Sequence, residues 1–233
     1  ASTASFRSSS LTNVSLEKFK TTAPSFNVLN TALLIIFLVA SIAGTWTVTK
    51  SASAVASSSF SKYLTFLLSF IALLIDKYGS LDVIKDKLDN NYPIQYLIGY
   101  VDFYGYKINV DERALIPRYE TEGLLELVIN KLKDKANLNI LDIGTGTGCI
   151  DIVLSKKLNN THISTIDISS DALELAKENY KLNDVNNITV INNDIFKYHT
   201  DDKYDVIISN PPYVDKSEDV SPETKYEPSN AIF

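Results

Sequence analysis

The 233-residue chain contains one cysteine, two histidines and no methionine. A single thiol, Cys149, excludes a disulfide framework and any cysteine-rich metal centre. His162 and His199 are too few for a zinc centre, and no metal is expected. No base or histidine signature lies near Cys149, so it reads as a small buried residue rather than a nucleophile. The absence of methionine even at position 1 points to a processed, trimmed or partial product. Basic residues are scarce where they would matter most. Residues 1–78 hold six Lys/Arg and two Asp/Glu, leaving 16 bases and 26 acids in 79–233, a net −10. Such an acidic body lacks the broad phosphate-neutralising surface on which non-specific nucleic-acid binding rests, so no direct nucleic-acid partner is expected. With 45% apolar and 21% charged residues, wholesale disorder and collagen-like repeats are also excluded.

Four regions follow from composition. Residues 1–27 are rich in Ser and Thr and read as a disordered or targeting segment. Residues 28–78 form an apolar helical region. Within it, 28–48 carries no charge, is long enough to cross about 30 Å of hydrocarbon, and is expected to associate with a membrane. The rival reading packs it on the body as a helical subdomain. A second apolar stretch, 60–75, is short for a span and suits a buried helix or re-entrant segment. The Ser/Ala stretch 51–59 is a connector between the two. Residues 79–120 read as a linker helix and a β-hairpin. Leu81, Ile84 and Leu88 share a helical face, and 100–110 alternates around Gly105. The last region, 121–233, alternates helix and strand.

That alternation sets the fold class. A helix over 121–134 starts at a capping Thr121. Strands at 138–142, 162–167, 188–192 and 204–209 are separated by helices at 147–158 and 171–182, the latter capped by Ser169 or Ser170. Short apolar strands joined by helices predict right-handed crossovers and an α/β fold with a parallel-sheet core, Rossmann-like, with its ligand at the carboxyl ends of the strands.

Three strand ends carry Asp: Asp142, Asp167 and Asp194. Each alone could be a turn or cap residue; together they suggest one site. After the first strand comes Gly144-Thr145-Gly146-Thr147-Gly148, a loop whose glycines admit close backbone approach and whose following helix presents free N–H groups. The spacing is GxGxG rather than the GxGxxG of dinucleotide loops. Asp167 can accept both hydroxyls of a ribose, and Asp194 lies where a side chain meets an adenine ring. This ordering resembles class I S-adenosylmethionine-dependent methyltransferases. The acidic set suits a sulfonium and an ammonium, and such a cofactor has no pyrophosphate to clamp.

After the fourth strand stands Asn210-Pro211-Pro212-Tyr213. The prolines stiffen the turn and remove two donors, leaving carbonyls free to accept. The Asn210 side-chain oxygen and the Pro211 carbonyl can take the two hydrogens of a planar NH₂ group. That favours pyramidalisation and aims the nitrogen lone pair at a methyl carbon. Tyr213 can cover the flat face of the acceptor. No strong base is required.

This tetrapeptide serves adenine amino-methyltransferases and glutamine methyltransferases alike. The upstream segments Pro93-Ile94-Gln95-Tyr96-Leu97-Ile98-Gly99, Phe103-Tyr104-Gly105 and Leu115-Ile116-Pro117-Arg118-Tyr119-Glu120-Thr121-Glu122 choose between them. With Tyr226-Glu227-Pro228-Ser229-Asn230-Ala231 downstream, they resemble the HemK/PrmC family of protein-(glutamine) methyltransferases over about 92–233. The resemblance implies methylation of the side-chain amide of the glutamine in the GGQ motif of peptide-chain release factors. It implies that Gly144 to Gly148, Asp167, Asp194, Ile195 and Asn210 hold S-adenosylmethionine, and that Asn210 to Tyr213 clamp the glutamine. Phe103, Arg118 and Thr121 would close over the cofactor. An adenine methyltransferase on DNA or RNA, or an inactive truncated membrane-tethered relative, are the alternatives. Mitochondrial translation uses GGQ release factors, and the basic, Ser/Thr-rich start fits import; a cytoplasmic location is the alternative.

The sequence departs from that family at three places. Tyr119 stands where Pro is common. Asp151 stands where the helix after the glycine loop is usually apolar or small, so it is either exposed or costly to bury. Relatives also continue past the equivalent of Phe233 through roughly three strands, so an exposed edge at the fourth strand is expected.

Overall fold

A computed structural model describes residues 69–233. The segment 28–48, the connector 51–59 and the first part of the 60–75 stretch lie outside the described residues. The chain divides into two compact units, Ala1–Leu97 and Ile98–Phe233.

In the first unit, residues 69–78 are helical, followed by α1 (Leu81–Asp89) and α2 (Ile94–Ile98). Ser80 caps α1, its hydroxyl accepting Val83 N–H at 3.3 Å, with Asp82 in the first turn and Lys87 in the last, signs that suit the helix dipole. Leu74, Ile84 and Leu97 form the buried centre, and Leu81 and Leu88 pack against it, so the expected apolar face is the one buried. Tyr78 Oη donates to the carbonyls of Tyr96 and Leu97, both at 3.2 Å, tying the helical residues to α2. Among the described residues no helix is long and apolar enough to cross a membrane.

The second unit opens with the hairpin β1 (Tyr100–Phe103) and β2 (Tyr106–Asn109). Its turn residues Tyr104 and Gly105 have φ of 53° and 82°, the left-handed pair that a two-residue hairpin turn demands. Then come α3 (Tyr119–Leu132), β3 (Asn139–Ile143), α4 (Cys149–Lys157), β4 (His162–Asp167), α5 (Ser170–Leu182), β5 (Ile188–Asn192) and β6 (Val206–Ser209). The four later strands form one parallel sheet in the order β5-β4-β3-β6. Ile140, Ile163, Ile152, Leu154 and Leu175 are fully buried in this unit, each contributing about 1.5–3 kcal/mol of burial. Ser169 caps α5 by accepting Ala172 N–H at 3.2 Å. Among the described residues β6 pairs only with β3, and Ile207 on it is exposed, as expected of an edge.

One boundary differs in a way that matters. Thr121 does not cap α3: the helix begins at Tyr119, with Arg118 at the cap position and no side-chain capping bond. Thr121 is buried one turn in, where its hydroxyl meets Asn210.

Candidate functional site

The chain leaves β3 for β4 on one side and returns to β6 on the other. At such a switch in strand order the loops diverge and a crevice opens at the carboxyl ends. A cleft of about 440 Å³ lies there. Its floor is Gly144 to Thr147, its walls Asp167 and Asp194 to Phe196 on one side and Ser209 to Pro212 on the other. Arg113 to Leu115, Pro117, Arg118 and Thr121 line it from the segment before and into α3.

The loop owes its shape to glycine at each bend: Gly144, Gly146 and Gly148 have φ of 78°, 54° and 76°. The Gly144 amide donates to Ile166 O at 2.8 Å and the Gly146 amide to Asp167 Oδ2 at 3.0 Å. Asp167 Oδ1 accepts Ser169 N–H at 2.9 Å. Each oxygen of Asp167 is thus fixed by one backbone donor and keeps lone-pair capacity for another. Asp194 accepts Phe196 N–H at 3.0 Å and pairs with Lys197 at 3.4 Å. Ile195 lines the cleft as expected. Phe196 was missed: its ring is 93% exposed at the rim, and an aromatic two residues beyond a strand-end Asp was the available signal.

Three expectations need correction. Asp142 is fully buried and does not line the cleft: it is the penultimate residue of β3 and is covered from the side of α4 and α5. Gly148 does not line the cleft either; it passes under Tyr180, where a Cβ would lie 2.5 Å from the ring. Phe103 is 2% exposed in the hairpin and absent from the cleft wall. Tyr213, expected at the acceptor and not at the cofactor, borders a separate hollow and is 79% exposed.

That hollow, about 190 Å³, is bounded by Asn210 to Val214, Arg118 and the segment around Val220 and Thr224. Asn210, Pro211 and Pro212 line both spaces and so stand where they meet. Ser209 Oγ donates to Ile143 O at 2.7 Å, pinning the tip of β6 to β3. The Asn210 amide nitrogen donates to Thr121 Oγ1 at 3.2 Å, which fixes the side chain and leaves its oxygen as the acceptor. Glu227, 7% exposed, accepts Ile116 N–H at 3.0 Å and Arg118 at 2.5 Å, fastening the 115–118 segment, which lines the cleft with Asn210.

The two arginines of the cleft are already neutralised. Arg113 is bidentate to Asp111 and to Glu178, at 2.7–3.1 Å, and these partners push its proton affinity further up. Arg118 is held by Glu227. Cys149 lines the cleft, but burial pushes its thiol up to about 12, so it is no nucleophile. Among the described residues no group of His, Cys, Asp or Glu could hold a metal. His162 opens β4 beside Thr189, and His199 sits in an exposed loop.

Residues 124–224 match the methyltransferase small domain. That stretch holds the parallel four-stranded sheet and its covering helices, the α/β architecture the sequence leads one to expect. The chain is 43% identical over 144 residues to a release factor glutamine methyltransferase of Fusobacterium nucleatum, covering 60% of this chain and 41% of the relative. It is 42% identical over 153 residues to the protein of the same description from Lactococcus lactis, covering 64% and 56%. The Flavobacterium psychrophilum counterpart is 44% identical over 156 residues, covering 63% and 54%. The chain thus spans about half the length of the curated relatives it matches.

Proposed function

We propose that the methyltransferase domain uses S-adenosylmethionine to methylate the side-chain amide nitrogen of a glutamine in a peptide-chain release factor. The relatives' common description supports the acceptor. The observation that carries the reading is the place of Asn210 to Pro212, shared by the acidic cleft and the smaller hollow.

The cleft fits the cofactor on its own chemistry. Adding a Cβ at Gly144 meets nothing within 4 Å, and at Gly146 only Ala114 at 3.9 Å, so the loop leaves room for close backbone contact with a ligand. Asp167 presents a braced carboxylate for ribose hydroxyls, and Asp194 and Ile195 border the adenine end. With Arg113 and Arg118 already paired, the wall offers no free guanidinium for a pyrophosphate and favours a ligand bearing positive charge. S-adenosylmethionine would supply an electrophilic methyl carbon on a sulfonium.

The remaining work falls to the Asn210 segment. A carboxamide nitrogen is a poor nucleophile because its lone pair is delocalised. Asn210 Oδ1 and the Pro211 carbonyl can accept its two hydrogens from fixed positions, so the nitrogen is turned towards the cleft without reorganisation in the transition state. After methylation the nitrogen loses its proton readily, so no buried base is called for. Tyr213 covers the outer side of the hollow. The test is transfer of label from S-adenosylmethionine to a release factor and to the same factor with Gln→Ala in its GGQ motif. Label confined to the unaltered factor supports the reading; equal labelling of both, or labelling of nucleic acid instead, refutes it.

A further inference from the structure

Beneath the glycine loop lies a buried polar cluster that the proposed reaction does not use. Asp142 on β3, Thr165 on β4, Asp151 on α4, Thr145 in the loop and Tyr180 on α5 are all at most 5% exposed. Asp142 and Thr165 are register partners, so they share a face of the sheet. Asp151 Oδ2 accepts the Tyr180 hydroxyl at 2.5 Å and the Thr145 hydroxyl at 2.7 Å. Four atoms remain without a hydrogen-bond partner: both oxygens of Asp142, Oδ1 of Asp151 and Oγ1 of Thr165. Native interiors leave few such atoms, and two full charges side by side here would cost far more than the neighbouring hydroxyls return.

Every titratable group that bears on the pair is acidic or neutral. Asp151, Asp167, Cys149 and Tyr180 face Asp142 from α4, the end of β4 and α5, and no cation is among them. Burial first, then the charge of Asp151, pushes Asp142 well above the ordinary carboxylate range. Burial also raises Asp151, against the opposing hydroxyls of Tyr180 and Thr145. The Tyr180 and Thr145 hydroxyls both donate to Asp151, so of the two carboxyls Asp151 is the better supported to carry a charge.

We propose that Asp151 is a positioning residue that shares one proton with Asp142, and that this pair holds Thr145, and with it the glycine loop, in the shape the cofactor requires. The cofactor part of this statement rests on the function proposed above. A protonated Asp142 donates to the vacant Oδ1 of Asp151, while Oδ2 keeps Thr145 and Tyr180. The loop is then anchored from below to α5, opposite its cleft-facing side.

Two substitutions separate charge, shape and fold in the full chain. Asp151→Asn keeps an oxygen for Thr145 and Tyr180, and its NH₂ can donate to an ionised Asp142. Asp151→Ala removes both functions. At neutral pH the unaltered chain should show the infrared carbonyl stretch of a protonated carboxyl, and Asp142→Asn should lose it. Amide exchange at Gly146 and Gly148 should accelerate in Asp151→Ala and return towards normal in Asp151→Asn. S-adenosylmethionine should bind about tenfold more weakly to Asp151→Ala than to Asp151→Asn, the loss expected of about one hydrogen bond to a charged group.

Stability supplies a sign. A group whose folded-state pKa is raised contributes stability that is full below about 3.8 and is lost as pH rises through the folded value. Stability of the unaltered chain should therefore fall more steeply with rising pH above about 4 than that of Asp142→Asn, which lacks the titrating carboxyl. A missing protonated-carboxyl band overturns the proposal, as does loop exchange in Asp151→Ala equal to that of the unaltered chain. Failure of every form to bind S-adenosylmethionine would instead refute the proposed function, while the band, the exchange rates and the pH slope still decide the shared proton.

Discussion

Gly148→Ala is the sharpest test of how the loop is built. The residue has φ of 76°, so any side chain costs about 1–2 kcal/mol in backbone strain alone. A Cβ there would also stand 2.5 Å from Tyr180 Cε1, 2.9 Å from Cζ and 3.0 Å from the hydroxyl. The ring has little freedom to move. It is 5% exposed, its hydroxyl is bonded to Asp151 at 2.5 Å, and Thr145 Oγ1 lies 3.3 Å away. Overpacking of this kind adds about 1–3 kcal/mol, so the total should be about 2–5 kcal/mol. Gly144→Ala is the control: its φ is 78°, but its added Cβ meets nothing within 4 Å, so only the strain of about 1–2 kcal/mol applies. Urea unfolding of both variants gives the comparison. In a Tyr180→Ala background the cost of Gly148→Ala should shrink to the strain alone, a strong departure from additivity. Equal losses for Gly144→Ala and Gly148→Ala, or additive losses in the double variant, would refute the packing argument.

Three further outcomes are expected. Asp167→Asn should weaken S-adenosylmethionine binding by about 10–100-fold by calorimetry, because the braced carboxylate loses its charge while Gly146 and Ser169 keep an oxygen to bond. Asn210→Ala should lower kcat by about 10²–10³-fold in the labelling assay, the scale of losing one fixed polar group at a transition state; undiminished turnover would remove Asn210 from the chemistry. Cys149, its thiol held up at about 12 by burial, should resist iodoacetamide at pH 8 until the chain is unfolded; fast labelling of the native protein would contradict its buried place beside the loop.

The strand and helix alternation of the second unit was legible because its apolar residues follow the two periods so plainly: β4 and β5 occupy 162–167 and 188–192 as the pattern requires. Cleft residues were legible wherever a motif ends a strand, as at Asp167, Asp194 and Asn210. What the pattern could not carry was depth. Asp142 and Asp167 both stand near strand ends, yet Asp142 precedes the last residue of β3 while Asp167 is the last residue of β4. That single step separates a carboxyl buried beneath helices from one braced at the lip of the cleft. The partner of Asp142 was equally hidden. Asp151 looked out of place on an apolar helix because Tyr180, 29 residues later, is what makes its burial tolerable. Short α2 escaped notice since five residues show no period, and Thr121 passed for a cap because its bond to Asn210 spans 89 positions.

The cleft's preference also depends on residues far apart in sequence. Counting charges along the chain would place two arginines in the wall beside the glycine loop, a combination that suggests phosphate. The structure cancels both. Arg113 is gripped by Asp111 from its own loop and by Glu178 from α5, and Arg118 by Glu227 from the far end of the domain. The forked contacts use up the Arg113 guanidinium and the Glu227 contact offsets the charge of Arg118, so the remaining field is that of Asp167 and Asp194. The same pairings carry mechanical load: the Glu227 contact holds the 115–118 segment against the space that Asn210 shares with the hollow. On the proposed function, selection for a cationic ligand and alignment of the acceptor amide both draw on the Arg118–Glu227 pair. Neutralising Glu227 would release Arg118 into the wall and loosen the acceptor side at once, two effects that a purely structural salt bridge would not join.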